Sequence, residues 1–540
     1  MADKVNLDAL IPREDFDFGD EQNRTMTRPK DTFSINELNQ GEFFYSGLRK
    51  PDFQRETSEW DAEKIVGLVE SFISDDLIPA VILWRGGNTL TFVIDGSHRI
   101  SALAAWVNDD YGDGPISRAS YVDIPPDQQR SASFTRSLIR DRVGRFEDYK
   151  RGLLHPEQVG EVIAQRAKTL GSLAVQLQWV SGSAEKAEAS FFKINQKASP
   201  IDQTELRILQ SRRKPFGVAA RAIMRSGRGT KYWSRFSDDN PKKIEDIAKE
   251  IHDILFLPLL TSPVRTLDLP IGGKEHSSQS LSLVFDFVLI ANNIYKDDVR
   301  VEARKSSQQK TAETIFKEIA EDGDGQTTLN YLINCKNIIR RINSSHPGSL
   351  GLHPAVYFYS KEGLYKVASF FAVVSLVAEL EQKKRLNSFT DIRQTFEDVL
   401  VKYDYVFQQI VRKSRSAIAS YPIIKDVYLS LIAKLQEGKT GDLAVTEIVN
   451  QPGYSYINLT VDTLENSMSS AGNTDFSRET KSRAYITEAL TRVIKCKICQ
   501  GFLHINSMSV DHIQRKSDGG SRSIDNAQMV HPYCNTGYKH

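Results

Sequence analysis

The 540-residue sequence predicts an α+β protein of several domains. Three observations predict it. The length exceeds what one hydrophobic core usually serves, so two or three domains are expected. Short apolar runs of strand character alternate with amphipathic stretches up to about residue 212, and helical periodicity then dominates to about 464. Finally, three of the four cysteines fall between Cys496 and Cys534 in close-spaced pairs, the sequence form of a small metal-stapled module. A hydrophobic share of 40% beside 26% charged residues is that of a folded globular chain, and excludes a disordered or fibrous one.

The elements follow in order. Residues 1–35 are polar and acidic with little periodicity and predict a flexible arm; the opening MADKVNLDALIPREDFDF lacks an apolar h-region, so no secretory signal is expected. Within 36–212, AVILWRGG and LTFVIDG are apolar strands joined by a turn at Gly86-Gly87-Asn88, and DAEKIVGLVESFISD has helical spacing with an acidic first turn. The second strand runs directly into the helix-like SHRISALAAW, which places Asp95-Gly96-Ser97-His98-Arg99 on a strand-to-helix turn. Such a turn offers an anion backbone N–H groups and the positive helix end; Gly96 admits a phosphate closely, Arg99 can clamp it and His98 adds a donor. The same turn also occurs without a ligand. Trp60 opens an amphipathic helix and is expected to pack in the core.

From 213 to 464, stretches such as QTTLNYLINCKNIIRRI and GLYKVASFFAVVSLVAELEQK predict a helical connector, with Cys335 as a small buried apolar residue. The run GLHPAVYFYS (351–360), headed by His353 and Pro354, reads as a turn entering a buried strand, or else as a pocket wall. The basic run 209–236 is interleaved with Phe216, Tyr232, Trp233 and Phe236, which suits contact with a DNA backbone or, equally, a solvated helix face. The most apolar segments, SLSLVFDFVLI and FFAVVSLVAEL, are too short to span a bilayer, so no membrane partner is expected. Reduced cysteines predict a cytoplasmic location. Ser, Gly and Asn accumulate in ENSMSSAGNTDFS, which predicts a linker over 465–480 before a domain at 481–540.

In that last domain Cys496-x-x-Cys499 and His531-x-x-Cys534 have the spacing of two zinc knuckles, and Asp511-His512 lies in the loop that they pin. Residues 481–540 carry nine Lys and Arg against four Asp and Glu, or 9 − 4 = +5, whereas the whole chain is +1. Attraction to phosphate is therefore concentrated in the tail. The string CKICQG…SVDHIQRKSDGGSRSIDNAQMVHPYCN resembles the HNH nuclease family, in the subgroup whose ββα-metal core is stapled by zinc. His531 stands where that subgroup usually has cysteine, giving a Cys3His site for a structural Zn2+. The resemblance implies that His512 is the general base, that Asp511 and Asn535 hold a catalytic Mg2+ or Mn2+, and that Asn526 clamps the loop by hydrogen-bonding backbone. An imidazole titrates near neutrality and oxygen ligands suit a hard cation, so the residue types fit those roles.

PDFQRETSEW (51–60), IDGSHRISAL (94–103) and FFKINQKASPIDQTELR (191–207) resemble, in order and context, the ParB/sulfiredoxin-like α/β domain of the GmrSD/SspE-like family. The family's DGQQR signature reads here with Ser97-His98 in place of the two glutamines. The resemblance implies an NTP site lined by Asp95, Gly96, His98 and Arg99, with Gln54 and Arg55 close by and Asn195 and Glu205 as weaker members; an Arg55–Glu205 ion pair is the alternative, and hydrolysis is left open. The combined expectation is a DNA endonuclease of prokaryotic anti-phage defence, a modification-dependent, type IV-like restriction enzyme. Its HNH chemistry would be regulated by NTP or by modified phage or phosphorothioate DNA, and a homo-oligomer is a further expectation. The alternative is a non-cutting, ParB-like, nucleotide-dependent DNA-binding switch with a structural zinc module; a homing endonuclease fits less well with the large upstream domain.

Overall fold

A six-stranded mixed sheet forms where short apolar runs alternate with amphipathic helices. Its strands are β1 (Arg13–Glu14), β2 (Thr32–Ser34), β3 (Leu48–Pro51), β4 (Val81–Arg85), β5 (Thr91–Asp95) and β6 (Ala174–Trp179), in the order β1-β3-β5-β4-β6-β2. β1, β3 and β5 are parallel, β4 pairs antiparallel to β5, β6 runs parallel to β4, and β2 closes the edge antiparallel to β6. The central strands are covered on both faces, which is why their sequences are continuously apolar. Val81, Leu83 and Val93 enter one core with helices α1 (Ala62–Ile73), α2 (Ser97–Asn108) and α3 (Pro126–Arg142), while Trp84, Phe92 and Ile94 enter a second with Phe16 and Phe191 of α4 (Ala184–Ala198). Asp61 caps α1 by accepting from the Lys64 N–H.

This is a computed structural model that describes residues 4–14, 16, 29–51, 54, 57, 60–86, 90–121, 124, 126–198, 207–208, 211–227, 233, 236, 239–275, 279–295, 316, 318–459 and 476–538. The chain divides into two units: the sheet unit is essentially Met1–Arg212, and the second holds nearly everything after it. Residues 4–14 and 32–34 are not a free arm. Val5, Leu7, Leu10 and Ile11 are each 1% exposed, and Val5 and Leu7 donate their N–H groups to the carbonyls of Trp60 and Thr57. The physical reason is a short apolar series that the acidic composition hides. Asp8 anchors it between Arg13 and buried Lys50; burial works against its charge, but the two cations hold the carboxyl well below its usual range.

The second unit is helical: α5 (Pro215–Met224), α6 (Asn240–Phe256), α7 (Ser280–Ala291), α8 (Gln326–Ile342), α9 (Val367–Gln382), α10 (Leu386–Lys402), α11 (Ala417–Gln436) and α12 (Arg478–Leu490). The apolar segments around 281 and 370 are α7 and α9, buried nearly all round as a core helix must be. Among the described residues no helix is long and apolar enough to cross a membrane. Phe216, Trp233 and Phe236 are buried, and Trp233 donates to Glu245, so these aromatics build the core and offer no face to nucleic acid; Tyr232 lies outside the described residues. His353 does not lead into a strand: it precedes a single helical turn, Pro354–Tyr357, because Pro at the first helical position favours one. Cys335 is buried on α8, and burial pushes its thiol up. The predicted linker lies outside the described residues up to 475, and from Ser477, which caps α12, the chain is helical.

The C-terminal segment belongs to this second unit. β7 (Ser509–His512) and β8 (Ala527–Val530) form an antiparallel hairpin in which Asp511 faces Gln528 and His512 faces Ala527, followed by a helical turn at Cys534–Tyr538. Its seams with the helices are polar and specific. Tyr533 and Tyr538 donate to Asn387 and Asp391 of α10, Ser507 bonds Ser349, and Asn343 donates to His504.

Candidate nuclease centre and candidate anion site

Cys496, Cys499, His531 and Cys534 converge so that their ligating atoms all lie within 4.8 Å of one another, and all four are buried. The cluster begins where the Lys495–Phe502 bridge folds the first knuckle back, with Cys496 N–H donating to Gly501 O. His531 Nε2 lies 3.0 Å from the carbonyl of Phe502, which requires the proton on Nε2 and turns the Nδ1 lone pair toward the sulfurs, 3.3 Å from Cys499 Sγ. Three thiols and one fixed imidazole at this spacing fit tetrahedral zinc. Cys499 and Cys534 donate toward Cys496, which pulls the Cys496 thiol well down and pushes Cys499 up to about 11. Zinc binds sulfur as thiolate, so a cation at the centre would displace the protons that the thiols share.

The hairpin carries the other named residues. Asp511 is 8% exposed; its Oδ1 accepts from the His512 N–H and its Oδ2 from Gln528 Nε2. Asn535 Nδ2 donates to Ser509 Oγ at 2.8 Å. Ser509 and Asp511 are two apart on β7 and share a face, so this bond draws Asn535 toward the Asp511 side and leaves its Oδ1 as an oxygen donor. His512 follows at the strand end, half-buried. Asn526 makes three bonds across the connecting loop: Nδ2 donates to the carbonyls of Gln514 and Ser521, and Oδ1 accepts from the Gln514 N–H. The turn also requires glycine, since a Cβ on Gly520 would stand 2.0 Å from Gln514 O.

In the sheet unit, Asp95 ends β5 and Gly96 takes the left-handed φ of +95° before α2 begins. No side chain caps α2 at Gly96, and the N-terminus of a helix is the end that attracts an anion. Arg99 Nη2 pairs with Asp95 Oδ2 at 2.7 Å and reaches Ala80 O, while its buried Nε has no hydrogen-bond partner. Gln54 Oε1 is likewise buried without one. His98 stacks on Trp60, ring centroids 5.6 Å apart, and Trp60 packs half-buried against the core. Arg55 and Glu205 lie outside the described residues, and Asn195 falls on α4. The residues present fit an anion as far as an uncapped helix end and an unspent guanidinium nitrogen go; Asp95 and the Ala80 carbonyl take Nη2 of the same guanidinium.

Two family models match this chain. The model described as GmrSD restriction endonuclease, N-terminal domain, matches residues 35–332, more than half of the chain. The chain belongs to the GmrSD restriction endonuclease family. A second model, HNH endonuclease, matches residues 496–540, which span both knuckles and the hairpin. No curated protein and no solved structure matches. This GmrSD-family protein is therefore a restriction-type endonuclease, with DNA as the substrate that its HNH region implies.

The sequence reading of this GmrSD-family chain missed Ser509 and Gln528, which hold Asn535 and Asp511, and a buried pair on α10. Arg393 and Glu397 are 1% and 0% exposed and meet at 2.7 Å. Their i,i+4 spacing was visible in RQTFE, but nothing there marked it as buried.

Proposed function

We propose that the β7–β8 hairpin hydrolyses DNA phosphodiesters, with His512 as general base, and that the N-terminal domain licenses the cut. The observation that supports the reading most is the bond from Asn535 to Ser509, which ties Asn535 to the strand that carries Asp511 and His512. A Mg2+ or Mn2+ held by Asp511 and Asn535 would offset charge on the phosphate oxygens. His512 takes the proton of the attacking water as its oxygen bonds to phosphorus and the bond to the leaving O3′ breaks. Asn526 holds the loop so that His512 keeps its place, and Cys496, Cys499, His531 and Cys534 hold Zn2+ as a staple outside the chemistry.

In the sheet unit, Gln54, Asp95, Gly96, His98 and Arg99, with Arg55, receive the phosphate of an NTP or the backbone of a modified DNA. The α2 terminus without a side-chain cap and the unpartnered Arg99 Nε support this reading. Coupling to that site restrains a nuclease that would otherwise attack host DNA. The test is cleavage of unmodified, base-modified and phosphorothioate DNA with Mg2+ or Mn2+, with and without each NTP. Wild type should cut at least one of them, and His512→Ala should lose about 10²–10⁴-fold. Failure of both on every DNA would favour the non-cutting, nucleotide-dependent binding switch.

A further inference from the structure

We infer that the zinc centre is completed by the helical body: Arg393 of α10 serves as the cationic outer sphere of the Cys3His site, and Glu397 aims it. The inference rests on the zinc reading above. Zn2+ with three thiolates and a neutral imidazole carries a net charge of −1, and the site is buried. An uncompensated buried charge is costly, so a cation should lie against it.

Arg393 is that cation. Its Nη1 lies 3.3 Å from His531 Nδ1, the nitrogen turned toward the sulfurs, and also donates to the carbonyl of Leu350, while Nη2 donates to that of Gly351. Glu397 is directed elsewhere: Oε1 takes Arg393 Nε and the Tyr357 hydroxyl, and Oε2 accepts from the Phe502 N–H at 2.7 Å. The pair therefore turns its positive end to the ligands while its negative end grips the backbone of the first knuckle. Phe502 is also the residue whose carbonyl fixes the His531 tautomer, so one carboxylate and one imidazole hold opposite sides of the same peptide segment. The fit is close: a Cβ on Gly501 would stand 2.6 Å from Arg393 Nε, and one on Gly351 2.7 Å from His531 Cδ2. Outer partners of this kind orient the ligands and tune metal affinity.

The experiment uses the full chain. Zinc per chain is measured by elemental analysis, and zinc release to a chromogenic chelator is timed for wild type, Arg393→Lys, Arg393→Gln and the double change Arg393→Met with Glu397→Met. The double variant removes both members of the Arg393–Glu397 pair and so leaves neither of them buried alone, which keeps the inference testable if Arg393→Gln does not fold. Val284→Ala, in the core of α7, is the control for general destabilisation. Arg393→Gln and the double variant should release zinc about 10–100-fold faster, Arg393→Lys should fall between, and Val284→Ala should melt earlier with release unchanged. Zinc at one per chain with wild-type release in the double variant overturns the role of Arg393 alone. Equal loosening by Val284→Ala does the same. Wild type free of zinc overturns the metal reading and this inference with it.

Discussion

At the scale of single residues, Asn526 shows how much one amide can hold. Its three bonds close a loop whose side chains from Ile513 to Asp525 are otherwise exposed, Gly520 excepted. Each is worth about 1 kcal/mol. Asn526→Ala should therefore speed hydrogen exchange over 514–526 and cut cleavage by an order of magnitude or more, with zinc content unchanged; wild-type exchange in that loop would dismiss the clamp. Two histidines make a different prediction. His353 and His504 are each 2% exposed and their rings meet at 5.2 Å; burial holds His353 well below the usual imidazole range and brings His504 to about 4. Asp268 lies 3.5 Å from His504 Nε2, too far to offset that burial. Both rings are thus neutral when folded and take up protons on unfolding below about pH 6.5. Stability should fall as pH drops from about 6.5 toward 4, by up to about 3 kcal/mol from His504 alone. Calorimetry of His504→Gln across that range should show a flatter profile than wild type.

At the scale of elements, what the sequence revealed depended on whether the signal was local. Both central strands, α1, α2 and the knuckle spacing rest on periodicity and short-range chemistry, and they are present where the residues predict them. The N-terminal strands were missed because β1 has two residues and β2 three, too few for alternation to show, and their partners lie far along the chain. The aromatics of 209–236 were misread for a related reason: basic neighbours suggested a surface, while the apolar face of α5 packs inward. The β5–α2 turn supplies the prediction at this level. Gly96 sits at φ +95°, and an added Cβ would stand 3.0 Å from both Val81 and Arg99. Gly96→Ala should lower the stability of the sheet unit by about 1–2 kcal/mol, read by thermal unfolding, and should weaken any response to NTP. An unchanged melting transition would mean that the turn relaxes freely.

For the whole molecule, the sequence suggested a nuclease head on a tether, and the structure places that head within the same unit as the helices. No local pattern could have disclosed this, since the contacts join residues more than a hundred positions apart, as Glu397 joins Phe502 and Asn343 joins His504. The consequence is that the metal and the segments packed directly on its knuckles should stand or fall together. Binding free energy in a structural zinc site is folding free energy, so stripping the ion destabilises whatever packs on it. Treating the full chain with a strong chelator should therefore raise hydrogen exchange beyond the two knuckles, in α10 and in the 349–357 segment that meets Arg393, Ser507 and Tyr533. The sheet unit makes the internal reference, because none of the four ligands belongs to it. Re-adding Zn2+ should restore protection in α10 and the knuckles at the same metal concentration. Exchange that rises in the tail alone, with α10 unmoved, would show a head that folds independently of its body.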